Sequence, residues 1–446
     1  MKYKETDIQW LGKIPEHWDT TTIKNHFYVI PSNVDKKTKE NEIPVELCNY
    51  VDVYYNDFID LSVPFMEATA NENEVVKFQL KEKDVLITKD SEDPLDIGVP
   101  ALINEVKDKL LCGYHLSMLR PKSNKITGDY LFWLLKDTSI ASQLWREATG
   151  VTRWAIASRH VKNSIIALPP KKEQIAIANY LDNACERIDK IVKIKEKQIL
   201  KLDNYFKNKI SEFTTQGLGS SVLTPTDCLW IPEIKKGWKI KPLKRLLNSK
   251  LKYGANEPAI NEDTTEPRYI RITDFSKDGK LKNNTFKSLP FDKAKEYLLK
   301  EGDVLFARSG ATVGKTFIFK DYDGIACFAG YLIKAECNQD LLLPEYLYFF
   351  TKSKGYEEWK NIIFTQATIQ NIGADKYQYL KISIPPSIEE QREIVDKIIN
   401  LQKKIDDTKS KIKNQIKTLK NYRKSLIHEC VTGKKQIVKA METVKN

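Results

Sequence analysis

The sequence predicts an α+β fold in which two similar mixed α/β domains are each followed by a long helix, and the two helices pair with each other as a coiled coil. Two observations predict this fold. Motifs of the first half of the chain return in the second half in the same order. Each half then closes on a double proline, followed by a long stretch of helical period with few helix breakers. The chain is therefore expected to be an internal duplication.

The duplication is visible in matched segments that run through both halves. The first pair starts at Asp7 and Asp227, an offset of 220 residues, and a later pair contains Tyr130 and Tyr346, an offset of 216. In chain order the pairs are DIQWLGKIPEHW with DCLWIPEIKKGW, LKEKDVLITK with LKEGDVLFAR, GDYLFWLL with PEYLYFF, TGVTRWAI with TQATIQNI, and LPPKKEQ with IPPSIEEQ. A period this long indicates the duplication of a whole domain, because solenoid repeats are far shorter.

The composition narrows the class of protein. Of 446 residues, 41% are hydrophobic, which is enough to build cores and excludes wholesale disorder. No run approaches the roughly 18 apolar residues that span a bilayer, and MKYKETDIQW lacks the apolar core of a signal peptide, so we expect a cytoplasmic protein without membrane contact. The seven cysteines form no C-x-x-C pair, which argues against a disulfide framework and a zinc site. The net charge, 72 − 60 = +12, fits a polyanionic partner, although a solvated lysine-rich surface explains it equally well.

The segments before each double proline favour mixed α/β domains. Short apolar runs such as DVLITK and KTFIF are separated by Gly, Asn, Asp and Pro, which is typical of strands and turns, while YLFWLLKD and EYLYFFTKS resemble single short helices. The predicted boundaries are 1–170 and 217–386 for the two domains, 171–216 and 387–436 for the long helices, and 437–446 for a basic tail.

The long helices carry a heptad pattern that predicts their pairing. One column of positions, seven residues apart, consists of Ile398, Ile405, Ile412, Leu419 and Leu426 in the second helix, and of Leu181, Ile188 and Leu202 with two lysines in the first. The second seam column is predicted at Ile394, Leu401, Thr408, Gln415 and Tyr422, and at Ile177, Ala184, Ile191, Gln198 and Tyr205. The alternative is two ordinary amphipathic helices packed on globular domains, but such long and narrow stripes favour a coiled coil. Glycines in TTQGLG and VTGKK are suited to cap the helix ends.

One segment resembles a catalytic motif. Residues 309–316, SGATVGKT, end in the Gly-Lys-Thr of a phosphate-binding loop, but Ser309 stands where the pattern requires glycine. The matched stretch of the first half, KDSEDP, has no such motif, and FIFKDYDG after Thr316 predicts a strand and a turn, not a helix. Nuclease carboxylates, a methyltransferase loop and metal-spaced histidines are not recognisable in the sequence. An NTP-binding enzyme therefore stays only as an alternative, and no catalytic residue and no metal ligand are predicted.

Binding residues are predicted in two places that match between the halves. Side chains able to read base edges cluster in TGVTRW and TQATIQN, namely Thr149, Thr152, Arg153 and Trp154, and Thr365, Gln366, Thr368, Gln370 and Asn371. The alternative is that the threonines and isoleucines of these segments, such as Thr149, Thr152 and Ile156, cap and pack a short helix. Lys89, Arg308 and Lys315 follow the matched strands, where we expect phosphate contacts, together with Ser91, Ser309 and Thr312 in the same segments.

The whole order of motifs resembles the specificity (S) subunit, HsdS, of type I restriction-modification systems. Its most specific elements here are LPPKKEQIAIANYLD, IPPSIEEQREIVDKI and YRKSLIHECVTGKK. The resemblance implies two target recognition domains, each reading one half of a split site in double-stranded DNA. It also implies that the two long helices join these domains, pair as an antiparallel coiled coil and set the spacer. It also implies that two methyltransferase (M) subunits dock on the helices and that restriction (R) subunits join the complex. AdoMet, ATP and Mg would then belong to those partners, with no cofactor in this chain.

The chain departs from the family in its first domain, where SEDPLDIG replaces the usual RSGxxxGK-type segment. The DNA contacts of that half are therefore the least defined by the resemblance. A scaffold protein that uses the coiled coil only to bind partners is a third possibility.

Overall fold

The protein was analysed as a computed structural model, which describes residues 2–276, 279, 281–365 and 371–437. The chain forms two compact units. One contains the residues up to Lys195 together with the segment from Asn414, and the other is Glu196–Lys413. Each unit therefore contains one α/β domain and portions of both long helices, Lys171–Gln216 and Ile388–Val431. The predicted α+β class with two similar domains and two long helices is confirmed.

The first unit is built on a five-stranded sheet. Its strands, in spatial order, are Phe27–Pro31, Leu116–Pro121, Val85–Thr88, Pro100–Ile103 and Phe58–Ile59. All neighbours are antiparallel except the last pair. Two smaller sheets have three strands each, in spatial order Leu110–Cys112, Ile43–Cys48 and Met66–Ala70 in one, and Thr149–Gly150, Trp154–Ala155 and Asp90–Ser91 in the other. Two further sheets have two strands each and pair Ile165–Leu168 with Asp19–Thr22, and Tyr3–Glu5 with Lys13–Pro15. The shorter helices are Ile23–His26, Tyr50–Tyr55, Glu72–Phe78, Pro94–Asp96, Gly128–Lys136, Thr138–Arg146 and Ser158–Asn163.

The second unit repeats the central part of this sheet with four antiparallel strands. These are, in spatial order, Lys252–Tyr253, Leu332–Ala335, Val304–Ala307 and Thr316–Ile318. Two-stranded sheets pair Arg268–Ile270 with Ala326–Phe328, Lys239–Pro242 with Lys381–Ile384, and Leu223–Cys228 with Ile231–Lys235. The α-helices are Phe291–Ala294, Pro344–Phe350, Lys354–Thr365 and Ala374–Tyr377, with 3₁₀ turns at Leu243–Arg245, Ile272–Asp274, Asn283–Thr285, Lys295–Tyr297 and Gly310–Thr312.

The repeated Glu-Gln after each double proline fastens the start of a long helix to its domain. The buried Gln174 side chain accepts a hydrogen bond from the Thr127 backbone N–H (3.2 Å) and donates to the carbonyl oxygens of Lys125 and Pro169 (both 2.9 Å). Glu173 accepts from the Trp18 indole N–H at 2.9 Å. These bonds satisfy buried backbone groups, which would otherwise cost free energy.

The second unit repeats the same bonds. Gln391 accepts from the Leu343 N–H and donates to the Leu341 carbonyl, both at 2.9 Å, while the Trp238 indole donates to Glu390 at 3.3 Å. The motifs that matched most clearly in the sequence are therefore structural contacts, not a binding site.

A repeated tyrosine links each domain to the end of a long helix. The buried hydroxyl of Tyr130 contacts the carbonyl oxygens of Ala167 and Val431, both at 3.3 Å, and Val431 is the last residue of the second long helix. In the second unit Tyr346 contacts Ser383 (3.0 Å) and Thr214 (3.1 Å), and Thr214 lies near the end of the first long helix. Each domain is thus bonded to the C-terminal end of one helix and followed directly by the other.

Both long helices end at a glycine with left-handed backbone geometry. Gly217 and Gly433 each have φ of +73°, a conformation that costs residues with a Cβ about 1–2 kcal/mol. The predicted glycine caps are confirmed, since Gly217 directly follows the first helix and its N–H bonds to the Phe213 carbonyl at 3.2 Å.

The long helices pair antiparallel within each unit. In the first unit Arg423 contacts Asp189 at 3.3 Å and Lys195 donates to Gln415 at 2.8 Å, so the pairing partner moves backward along the second helix as the first advances. In the second unit Lys409 contacts Asp203 at 2.6 Å.

The first predicted seam column faces inward. Leu181, Ile188, Ile398, Ile405 and Leu426 are buried, and Leu202, Ile412 and Leu419 are half-buried. The predicted second column was wrong in the middle of the helices, since Ile191 and Tyr205 are exposed by 42% and 46%, and Tyr422 by 51%. The buried or half-buried positions lie one residue further along, at Cys185, Val192, Ile199, Phe206 and Phe213, and at Gln402, Lys409, Ile416, Arg423 and Cys430.

Candidate nucleic-acid interface

In the first unit the end of a central strand meets the TGVTRW hairpin. The Lys89 carbonyl, just after strand Val85–Thr88, accepts from the Ile156 N–H at 2.9 Å, and the Lys89 N–H donates to the His115 carbonyl at 3.0 Å. The hairpin strands Thr149–Gly150 and Trp154–Ala155 pair antiparallel, and the latter also pairs with Asp90–Ser91. The two segments that were predicted separately to bind DNA therefore form one surface.

The second unit builds the same junction with different side chains. Arg308 follows strand Val304–Ala307, its carbonyl accepts from the Ile372 N–H at 2.9 Å, and its N–H donates to the Tyr331 carbonyl at 3.1 Å. Ser309 and Asn371 form a β-bridge where the first unit pairs Asp90 with Ala155. The backbone is thus repeated at both junctions while the side chains differ.

A polar cluster occupies the junction of the first unit. Asp90, whose side chain is 11% exposed, accepts from Arg153 Nε at 3.0 Å and contacts Arg153 Nη2 at 2.7 Å. His115 Nδ1 lies 2.7 Å from the same carboxylate oxygen, and Lys89 Nζ lies 3.3 Å from the other. Lys89 also sits over the Tyr114 ring, 4.3 Å from its centroid. Lys89 is therefore largely inside the surface and paired, although it was predicted as an exposed phosphate contact.

An aromatic cleft adjoins this cluster. It has a volume of about 590 Å³ and is lined by Tyr50, Tyr54, Tyr55, Asp96, Arg153 and others. The Tyr50 and Tyr54 rings stack with centroids 5.5 Å apart. Burial raises the pKa of Tyr50, and the charge of Asp96 raises the pKa of Tyr54, so both hydroxyls stay protonated at neutral pH.

Most predicted residues of the first hairpin are at the surface. Thr149 and Thr152 are exposed, and Thr149 lies in a strand, so the threonines do not cap a helix in this unit. Ile156 is buried in the core, as the alternative expected of a packing residue. Trp154 is half-buried and packs against the core. Ser91 was expected to contact DNA, but it is buried and its hydroxyl lies 3.0 Å from that of Tyr50.

The junction of the second unit presents a cation and two tyrosines. The Arg308 guanidinium lies 4.9 Å from the centre of the Tyr253 ring and is half-buried, with Ser309 half-buried beside it. Tyr331 is 65% exposed, and Asn371 is exposed. Gln366, Thr368 and Gln370 lie outside the described residues, and Thr365 is the last residue of helix Lys354–Thr365.

The segment that resembled a phosphate-binding loop forms a turn between two strands. Gly310–Thr312 is one 3₁₀ turn and Thr316 begins a strand, whereas a phosphate-binding loop leads into a helix. Thr312 is half-buried, and Thr316 is buried with its hydroxyl bonded to that of Thr351. The alternative of an NTP-binding enzyme is therefore not supported, and the strand and turn predicted after Thr316 are present.

Two lysines lie beside this turn in different environments. Lys315 is exposed. Lys352 donates to the Thr316 carbonyl and hydroxyl at 3.0 and 3.1 Å, and burial, with the nearby charge of Lys360, lowers its pKa to about 8. Of these two lysines, only Lys315 can contact a phosphate of a partner without losing an internal hydrogen bond.

Several residues of the two junctions were not predicted. His115 and Tyr50 in the first unit, and Tyr253 and Tyr331 in the second, come from segments that the repeat did not single out, and Asp90 comes from a matched segment but was not chosen. Asp90 was accessible to sequence reasoning, because it stands opposite Ser309 in the matched strand ends. The tyrosines gave no signal, because a single aromatic residue in a sequence is more often part of a core than of a binding surface.

The described residues contain neither a candidate metal site nor a candidate membrane-spanning helix. Within 2–276, 279, 281–365 and 371–437, no group of three or more His, Cys, Asp or Glu side chains is placed to hold a metal ion. In the same part of the chain, no helix combines the length and apolar character needed to cross a membrane.

Comparison with known proteins identifies the class. The family model of the type I restriction modification DNA specificity domain matches residues 16–202 and 235–418, one match in each half. The chain therefore belongs to this family, and the predicted resemblance is confirmed. Proteins of this kind are the non-catalytic specificity subunits of type I restriction-modification systems.

Individual relatives agree with the family match. The type I restriction enzyme MjaIX specificity subunit of Methanocaldococcus jannaschii is 26% identical over 98% of this chain and 97% of its own length. A putative MjaX specificity subunit of the same organism is also 26% identical, over 58% of each chain.

Solved structures share the fold. A chain from a structure of complex assembly and conformational transition in the type I R-M system is 17% identical, with a TM-score of 0.72, over 94% of this chain and 98% of that one. The HsdS subunit of Thermoanaerobacter tengcongensis is 18% identical, with a TM-score of 0.53 and the same coverage.

Proposed function

We propose that the two junctions are the DNA-reading surfaces of this specificity subunit, and that each reads one half of a split site in double-stranded DNA. The observation that carries the proposal is the repeated junction: the same backbone bonds hold Lys89 and Arg308 in place, while the surrounding side chains differ. Because phosphate contacts position a protein and base contacts specify the sequence, two domains of one backbone read different sequences only through differing side chains.

The proposed readers are the exposed members of each junction. In the first unit these are Thr149, Thr152 and Arg153, and in the second Asn371. Gln366, Thr368 and Gln370 lie outside the described residues and stay predicted readers on the sequence pattern alone. Lys315 and Arg308 are proposed to contact phosphates, consistent with the net charge of +12.

The paired helices are proposed to set the spacer between the half-sites and to dock two M subunits, with R subunits joining to form the nuclease. Ile191, Ile194 and Tyr205 are exposed apolar residues on the first long helix, outside the buried columns, and would suit such a partner. We further propose that AdoMet, ATP and Mg are bound by those partners.

Exchanging the domains tests the proposal. Residues 1–168 are replaced by the corresponding domain of a relative with a different site, the chimera is assembled with M subunits, and methylated adenines are mapped genome-wide. We expect one half of the recognised site to change and the other half to stay. The reciprocal exchange of residues 220–384 is the matched control and should change only the other half. A chimera that alters both halves, or neither, would contradict separate reading.

A further inference from the structure

The first junction contains an arginine whose side chain is more than half exposed while one edge of its guanidinium is bound by a carboxylate. The Arg153 side chain is 54% exposed, whereas the Asp90 side chain that binds it is 11% exposed. Both contacts, from Nε at 3.0 Å and Nη2 at 2.7 Å, go to Oδ1 of Asp90. A largely buried carboxylate therefore fixes the direction of an exposed guanidinium.

The carboxylate is itself fixed. Asp90 lies in a short strand paired with Ala155, His115 Nδ1 is 2.7 Å from Oδ1, and Lys89 Nζ is 3.3 Å from Oδ2. An arginine held in this way loses less conformational entropy on binding a ligand than one free in solvent. The arrangement is the supporting shell expected around a recognition residue.

The donors left over suit a base better than a phosphate. A guanidinium carries five N–H donors, and the contacts to Asp90 occupy its Nε edge. Nη2 also lies 3.1 Å from His115 Nδ1, a nitrogen that is itself 2.7 Å from Asp90 Oδ1. A proton that Nδ1 donates to Asp90 leaves no acceptor there for Nη2. The opposite edge, with Nη1, keeps the planar fork that bonds to O6 and N7 of guanine in the major groove. Because Asp90 already offsets the positive charge, the attraction to a phosphate is weakened while the geometry of the fork is kept.

The adjoining cleft also disfavours phosphate and favours a G·C pair. Its lining carries three carboxylates, Glu92, Asp93 and Asp96, against the cations Lys36 and Arg153, so carboxylates outnumber lysine and arginine around the cleft. Asp93 and Asp96 accept hydrogen bonds from Leu95 N–H and the Tyr54 hydroxyl. Carboxylates accept from the cytosine amino group, which lies beside guanine O6 in the major groove.

We propose that Arg153, oriented by Asp90, reads a guanine in the half-site bound by the first domain. Arg153 is the specificity-determining residue and Asp90 is a positioning residue. The second domain has Ser309 in place of Asp90, so this device belongs to the first domain alone. The inference rests on the proposed function, because it assumes that the first domain reads one half-site.

The test uses the full chain assembled with its M subunits and a DNA library randomised in both half-sites. The variants are Arg153→Lys, which keeps the charge and removes the fork, and Asp90→Asn, which keeps the shape and removes the charge. Arg159→Lys, at an exposed arginine of the same domain, is the control. Thermal unfolding of each variant reports on folding.

The wild type and the control should select guanine at one position of one half-site. We expect Arg153→Lys to reduce that preference by on the order of tenfold or more, with all other positions unchanged. Asp90→Asn should weaken the preference at the same position, an effect that a general loss of structure would not confine to one base pair. Should Asp90→Asn unfold the domain, Arg153→Lys decides alone.

Two results would overturn the inference. One is an unchanged base preference in Arg153→Lys. The other is an equal loss of affinity on all sequences, which marks a phosphate contact that lysine, with the same charge but without the planar fork, makes less well. Failure of the proposed function looks different, because the wild type would then select no sequence in one or both half-sites.

Discussion

Lengthening both long helices should lengthen the spacer of the DNA site. In the structure Lys195 contacts Gln415 and Asp203 contacts Lys409, so the two helices have to be extended at matched points. We would insert seven residues after Lys197 and seven after Lys411. Seven residues preserve the phase of the seam, and at 1.5 Å per residue they add about 10.5 Å.

The added length predicts both a new preferred spacer and a change in DNA affinity. About 10.5 Å corresponds to roughly 3 base pairs at 3.4 Å each. DNA turns once in about 10–10.5 base pairs, so 3 extra pairs rotate one half-site by roughly 100° relative to the other. One heptad should therefore shift the preferred spacer by about 3 base pairs with reduced affinity. Three heptads add about 31.5 Å, or roughly 9 base pairs, close to a full turn, and should restore most of the affinity.

Methylated-adenine mapping and binding selection on a library of spacer lengths measure the outcome. The two half-site sequences should stay as in the wild type, because the insertions do not touch the junctions. The control inserts seven residues after Lys197 only. It leaves one helix without a partner segment, and we expect a lower melting temperature without a defined new spacer. An unchanged spacer in the double insertions would refute the reasoning and assign the spacing to the partner subunits.

Three further outcomes are expected. Lys315→Ala should lower affinity for all DNA sequences and reduce the slope of log affinity against log salt concentration by about 0.9. If the substitution instead removed ATP binding from the isolated chain, the segment 309–316 would be a phosphate-binding loop and the prediction would be wrong. Gln391→Leu should destabilise the protein by about 1–3 kcal/mol in denaturant titration, because the Leu343 N–H and Leu341 carbonyl lose their buried partner; an unchanged midpoint would show that water replaces it. Lys352 has a pKa of about 8 in the folded chain, below its ordinary value of 10.5. Between these two pH values the unfolded chain binds more protons than the folded chain, so the free energy of unfolding rises with pH. The melting temperature of the wild type relative to Lys352→Met should therefore rise from pH 8 to pH 10, and a flat difference would contradict the lowered pKa.

The repeat determined the architecture because its matched residues make contacts inside the fold. Gln174 and Gln391 bind the same loops of their domains, and Tyr130 and Tyr346 bind helix ends. Such contacts constrain residue type closely, so they are visible in one sequence. The heptad pattern predicted the pairing of the helices for the same reason, since apolar residues must recur where a helix is covered.

The heptad pattern placed the second seam column one residue too early along the helices. Columns three and four residues after the first are hard to tell apart, because the helical period of about 3.6 residues lies between three and four. In the second helix the buried side includes Lys409 and Arg423, whose charges are met by Asp203 and Asp189 on the first helix. Only the tertiary structure shows that these polar residues have partners and so can lie in the seam.

The sequence determined where the candidate site lies, and the tertiary structure decided which side chains in it are available to a ligand. The matched strand ends and the TGVTRW segment located the first junction, and Arg153 was predicted as a reader. The sequence did not show that Lys89 and Ser91 face inward, or that Asp90 holds Arg153. Asp90 and Arg153 are 63 residues apart in the chain, and they meet because two strands pair at the edge of the domain. The direction of an exposed side chain depends on such distant partners, which local sequence does not encode.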